Sequence, residues 1–197
     1  MLMSYFSGIV DAYDRVRPGG HPGAFRDLLG IEIDEFAPLR PGETVGLHHA
    51  GHTGTATDWQ DVIDLAGAEL LAAYTDGELK GGPAVTRHRF GTGIATYLGT
   101  SPDRETLRRL VLDCVTGAGV TPALDTPAGV EAVRRRAADG TEHLFLLNHT
   151  PDEVTVVAGT GTPVDLLAGD APAPSAATCV CRRSARRCCA TTPHNQP

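Results

Sequence analysis

The sequence predicts an α/β body, a small antiparallel β domain behind it, and a disordered tail. Three observations carry this. Before residue 122, β-rich runs alternate with two stretches of helical spacing. Past the proline-bearing linker TPALDTPAG only short strands with turn signals follow. From Ala171 onward Pro, Ala, Thr, Arg and Cys predominate without apolar periodicity.

Leu2 to Val10 reads as a buried strand closed by Gly8 and Asp11. Pro22 opens a short helix through Leu29, which Gly30 ends, and Ile31 to Phe36 alternate as a strand. Residues 37–57, rich in Gly, Pro, Thr and His, read as a loop or irregular edge. Residues 59–75 fit one helix or two strands equally well, with Asp76-Gly77 as the closing turn. PAVTRHRFGTGIATYLGT reads as a hairpin about Gly91-Thr92-Gly93. Ser101 is placed as the N-cap of a helix whose Leu107, Leu110, Val111, Cys114, Val115 and Ala118 share a face, stopping at Gly117 or Gly119. The later strands are expected at Val130–Arg136, His143–Asn148, Val154–Ala158 and Val164–Leu167, with a turn at Asp139-Gly140.

Composition excludes several classes. At 197 residues and 41% hydrophobic the chain can bury a core, so gross disorder is not expected. The net charge is −7, yet the residues after 170 carry four arginines and no acid, leaving −11 on residues 1–170. So acidic a body has no clustered cations for phosphate, and nucleic acid is not expected as a partner. No apolar run approaches a membrane span, and no basic n-region with an apolar stretch opens the chain, so a cytoplasmic protein without membrane contact is expected. Cys114 stands alone in the body while Cys179, Cys181, Cys188 and Cys189 crowd the tail, so the body is no disulfide scaffold.

The chemical candidates are weak one by one. His48, His49 and His52 put three imidazoles within five residues, but no cysteine or spaced second histidine pair completes a zinc set. The tail cysteines lack the two-residue knuckle spacing of a zinc ribbon. Gly91-Thr92-Gly93 joins strands and so offers phosphate no helix N-terminus. Asn148-His149-Thr150 matches a glycosylation sequon without a secretory signal. No serine occupies a nucleophile elbow, and Cys114 falls on an apolar helix face. Glu32, Asp34 and Glu35 adjoin on one short element, where they repel each other and enclose nothing, whereas glycoside chemistry needs two carboxyls across a sugar. The residues thus yield no catalytic, cofactor-binding or metal site, and no cofactor is expected.

Six blocks in order carry a resemblance: YFSGIVD (5–11), GGHPGAFRDLLGIEIDEFAPL (19–39), GAELLAAYTDG (67–77), GGPAVTRHRFGTGIATYLGT (81–100), AGVTPALDTPAGVEAVRRRAADG (118–140) and LFLLNHT (144–150). Together they resemble the C-terminal part of glycoside hydrolase family 42, the bacterial β-galactosidases, over residues 1–168. The resemblance implies an incomplete flavodoxin-like, Rossmann-like trimerisation domain at 1–122, a small antiparallel β domain at 127–168 and a disordered tail at 170–197. It also implies a strand at 68–74, and makes the opening MLMSYFSGIVD an internal strand of that domain.

The departures from the family shape the functional expectation. A catalytic (β/α)₈ barrel takes about 250 residues, and none is present. The family's acid/base glutamate follows an asparagine, whereas Asn148 and Asn195 are followed by His149 and Gln196. The tail also lacks the family's last apolar strand, as a gene read in a shifted frame would. The expectation is therefore a non-catalytic, inactive fragment that supplies oligomerisation scaffold to a parent hydrolysing terminal β-D-galactosides. Its partners would be other copies of itself or a barrel polypeptide. The alternatives are one piece of a split β-galactosidase, active only with that barrel, and an independent metal-binding module.

Overall fold

The computed structural model describes residues 1–140, 142–159, 162–165, 177–181 and 189–192, which fall into two units, Met1–Val120 and Thr121 onward. The first holds strands β1 (Leu2–Ser4), β2 (Ile31–Phe36), β3 (Val45–His49), β4 (His52–Leu65), β5 (Glu69–Tyr74), β6 (Pro83–Phe90), β7 (Gly93–Leu98) and β8 (Thr100–Pro102). Its helices are α1 (Arg26–Leu29), entered through a 3₁₀ turn at Gly23–Phe25, and α2 (Arg104–Gly117). The strands follow the order β1-β7-β6-β5-β3-β4-β2, with β8 on β4. All pairs are antiparallel except β1 with β7. The α/β expectation is corrected accordingly: this unit is mostly strand and carries few helices.

The differences have local causes. The opening strand stops at Ser4 because Phe6 and Gly8 take left-handed backbone angles, φ 66° and 74°, which break an extended run. Within the segment 37–57, residues 37–44 are loop as expected, but 45–57 form most of the β3–β4 hairpin: Val45, Leu47 and His49 alternate into the interior beneath a polar composition that hides the period. At 59–75 the two-strand alternative holds. Gly30 does end α1, in the left-handed region at φ 62°, its N–H donating to the Arg26 carbonyl. The N-cap of α2 is Asp103 and not Ser101, which lies in β8; the Asp103 carboxylate accepts from the N–H groups of Glu105 and Thr106.

Two apolar clusters stabilise the unit. Val45, Leu47, Tyr74, Val85, Leu98 and Leu110 form one, and Leu29, Ile31, Ile33, Ile63 and Tyr97 the other. Of the apolar face read along α2, only Leu110 is fully buried; Leu107, Val111 and Val115 stay 37–38% exposed. One helix turn contacting the sheet suffices to dock α2, leaving the rest of its stripe open.

The second unit contains β9 (Val130–Arg136), β10 (Glu142–Asn148), β11 (Val154–Gly159), β12 (Thr162–Asp165), β13 (Ala177–Cys181) and β14 (Cys189–Thr192). They pair as β12-β14-β10-β9 and β11-β13, all antiparallel, over a core of Val130, Leu144, Leu146 and Val156. The expectation of a tail without structure is corrected where β13 and β14 stand. Short β-prone runs there, ATCVC and CATT, satisfy the open edges of β11 and β10. Other tail residues, and the expected strand end at 166–167, lie outside the described residues.

Candidate functional site

Backbone pleating decides what the histidine cluster can do. His48 and His49 are neighbours on β3 and point to opposite faces, so His48 is exposed and His49 is 4% exposed. His52 sits across the hairpin from His49 in register. Each inner ring is engaged elsewhere. His49 Nδ1 lies 3.0 Å from the Leu71 carbonyl and its Nε2 2.7 Å from Asp113 Oδ2 on α2. His52 Nε2 lies 3.2 Å from Thr106 Oγ1. Among the described residues no group of three or more His, Cys, Asp or Glu is placed to hold a metal ion.

His49 and Asp113 open onto a cavity of about 850 Å³ between the β6–β7 hairpin and the C-terminal half of α2. Leu28, Leu71, Phe90 and Ile94 make it apolar, and Arg87 and Arg89 stand at its wall. Arg87 is tied to Glu69 at 2.8 Å, which lowers the Glu69 pKa. Asp113 is its one carboxylate, so the cavity has no second acid to oppose it. Cys114, also on the wall, is half-buried and its thiol donates to Thr96 Oγ1 at 3.6 Å, a packing role.

The other candidates fall apart in space. Gly91 and Thr92 form the two-residue turn between β6 and β7, since Phe90 pairs with Gly93. Asn148 is buried: its amide donates to the Asp152 carbonyl and its oxygen accepts from the Thr150 N–H and hydroxyl, so the sequon closes a turn. Glu32 and Asp34 are exposed along β2, and a bulge between Ile33 and Glu35 turns Glu35 outward as well. Cys179, Cys181 and Cys189 lie on β13 and β14, and Cys188 is outside the described residues.

One cluster escaped the sequence reading. Asp61, 1% exposed, accepts from Trp59 Nε1 at 2.8 Å and from the Tyr97 hydroxyl at 2.7 Å. Burial raises the Asp61 pKa against the pull of these two donors. Burial likewise raises the Tyr97 phenol, and pushes Tyr74 up to about 12. The available signal was Trp59-x-Asp61, two residues apart and so on one face of a strand. Asp61 also lines a second cavity of about 210 Å³ with Glu78, but its two oxygens already face these donors, which leaves a buried network and no acid/base pair.

Comparison with known proteins adds the wider frame. Residues 1–121 match the family model described as β-galactosidase trimerisation domain, and residues 129–171 match that described as β-galactosidase C-terminal domain. A β-galactosidase from an Arthrobacter species is 45% identical over 86% of this chain and 24% of its own length. The β-galactosidase LacZ of Heyndrickxia coagulans is 46% identical over 84% of the chain and 25% of its own length. The crystal structure of β-galactosidase from Bacillus circulans sp. alkalophilus superposes with a TM-score of 0.82 at 34% identity, covering 97% of this chain and 28% of that one. The chain thus spans about a quarter of the length of the curated relatives it matches. No helix among the described residues is long and apolar enough to cross a membrane.

Proposed function

The chain belongs to glycoside hydrolase family 42, matching the trimerisation and C-terminal domains of its β-galactosidases, and from that premise we propose that it is a non-catalytic scaffold. In this reading residues 1–122 form a flavodoxin-like trimerisation domain and 127–168 the β domain. The parent reaction, hydrolysis of terminal non-reducing β-D-galactosides, takes place on a barrel, which neither of the two matched models describes. The carrying observation is coverage: the match is to the trimerisation and C-terminal models over a quarter of the relatives' length.

Physical chemistry supports it. Glycoside hydrolysis takes two carboxyls about 5–10 Å apart across a sugar. Here the larger cavity offers Asp113 alone, held by His49, and the smaller, of about 210 Å³, offers Glu78 and an Asp61 whose two oxygens are already taken by Trp59 and Tyr97. We assign no catalytic, cofactor or metal residue to the chain, and place it in the cytoplasm.

A second reading, one piece of a split β-galactosidase, is favoured by the open surfaces. Among the described residues β1 pairs with β7 alone, and the Leu107–Val111–Val115 stripe of α2 is uncovered. Two assays separate the readings. The purified chain alone should leave a nitrophenyl β-galactoside unhydrolysed, and turnover above blank would overturn the scaffold reading. Sedimentation should show self-association, while activity appearing only on mixing with a separately expressed barrel polypeptide would establish the split enzyme.

A further inference from the structure

Both ring nitrogens of His49 face oxygens that can only accept a hydrogen bond: the Leu71 carbonyl lies 3.0 Å from Nδ1, and Asp113 Oδ2 lies 2.7 Å from Nε2. A neutral imidazole has one N–H and one lone pair, so it satisfies one of these oxygens and turns its lone pair on the other. Turning the ring over would set C–H groups against both. The side chain is 4% exposed, so solvent does not supply the missing donor. Asp113, with 59% of its side chain exposed, stays a carboxylate at neutral pH and cannot donate in its place.

We infer that His49 is an imidazolium in the folded chain, and that its second proton is a latch holding the C-terminal half of α2 on the sheet. The 2.7 Å separation is that of a charge-assisted N–H···O bond. Charges of both signs surround the ring. Asp113 and Cys114 from α2, Arg87 and Arg89 from β6, and the Met1 amino group line the same cavity, while His52 across the hairpin is turned to Thr106. Glu69 on β5 answers the Arg87 charge at 2.8 Å, which leaves Asp113 as the carboxylate for the imidazole.

Little else secures that half of the helix. Asp103 caps its start, and Thr106 and Leu110 are buried, but Val111 and Val115 stay exposed. Among the described residues the other hydrogen bond from this half to the sheet is the weak Cys114–Thr96 contact at 3.6 Å. Loss of the proton sets a lone pair 2.7 Å from a carboxylate oxygen, and the element least held against that repulsion is the α2 wall of the cavity of about 850 Å³. Acid therefore closes this wall and base releases it. The device works alike in a scaffold and in one piece of a split enzyme.

Long-range nitrogen–proton NMR counts the protons on each of the eight imidazoles at neutral pH. The His49 ring is assigned by its loss in His49→Gln, or by its contacts to Leu71 where that variant does not fold. It is expected to carry a proton on both nitrogens. In Asp113→Asn the amide can donate to Nε2, so the same ring should fall to one proton, kept on Nδ1. As pH is raised, the backbone amides of Cys114 and Gly117 should shift with the same midpoint as the His49 ring, and should stay still over that range in Asp113→Asn. A singly protonated ring in the unaltered chain at neutral pH overturns the inference, and so does a doubly protonated ring that Asp113→Asn leaves unchanged. Amides of α2 that ignore the ring's titration overturn the latch.

Discussion

The Tyr97 hydroxyl donates to Asp61 Oδ2 at 2.7 Å in the interior of the first unit, tying the end of β7 to β4. Tyr97→Phe keeps the ring and removes the donor, leaving a buried carboxylate oxygen without that partner. The expected cost is about 1–3 kcal/mol, read as a lower urea midpoint with unchanged slope. Exposed Tyr13→Phe should change neither.

Asp61 and Asp103 should make stability depend on pH in opposite directions. Burial raises Asp61 from 3.8, so the folded state takes up this proton before the unfolded chain does. Stability from this group therefore rises as pH falls through the raised value toward 3.8. At Asp103 burial pushes upward, but hydrogen bonds from Thr106, Thr55 and Glu105 outweigh it and hold the carboxyl at about 2. Its contribution is complete above 3.8 and is lost as pH falls from 3.8 through about 2. Asp103→Ala should cost about 0.5–2 kcal/mol at neutral pH, as for a lost N-cap. That penalty should shrink toward pH 2 in denaturant titrations; a constant penalty would disprove the assignment.

What could be read in the sequence follows from how local the signal is. The β6–β7 hairpin, the Gly30 stop and the alternation of Ile31 and Ile33 each need only a few neighbouring residues, and all three are present. The β3–β4 hairpin was hidden because Gly46, His48 and His49 on β3 and His52, Thr53, Gly54 and Thr55 on β4 leave few apolar residues to show the period, and such composition resembles loop chemistry. The N-cap moved by two residues since Asp103 also accepts from Thr55 N, a contact 48 positions away that no local rule contains. The histidines were visible as a cluster, but their opposed faces depend on 45–49 being a strand. Asp61 was missed because its partner Tyr97 is distant in sequence, although Trp59 stood two residues away.

His49 should therefore matter for stability and not for metal. Replacing it by Ala strips the Leu71 carbonyl of its donor and opens a hole beneath α2, an expected loss of about 2–4 kcal/mol. Asp113→Asn, at a side chain 59% exposed, should cost less than 1 kcal/mol, as for an exposed pair. Excess zinc should leave the melting temperature of the chain unchanged. A zinc-dependent rise that His49→Ala abolishes would show instead that the imidazoles converge.

Gly54 sets the distance between β4 and α2. A methyl group there would overlap Thr106 Oγ1 and stand 2.6 Å from Asp103 Oδ2. Neither neighbour is free to yield. Thr106 is 1% exposed and its hydroxyl donates to Asp103 at 2.8 Å, while Asp103 caps the helix and also holds Thr55 N at 2.7 Å. Gly54→Ala must therefore push the helix start off the strand, at an expected cost of about 1–3 kcal/mol. Gly117, with nothing within 4 Å of its added Cβ, is the control. Gly117→Ala at the last turn of α2 should raise stability by about 0.5–1 kcal/mol through the unfolded chain's lost freedom. Thermal or urea unfolding of the two variants side by side measures whether close approach, and not glycine content, fixes how α2 sits on the sheet.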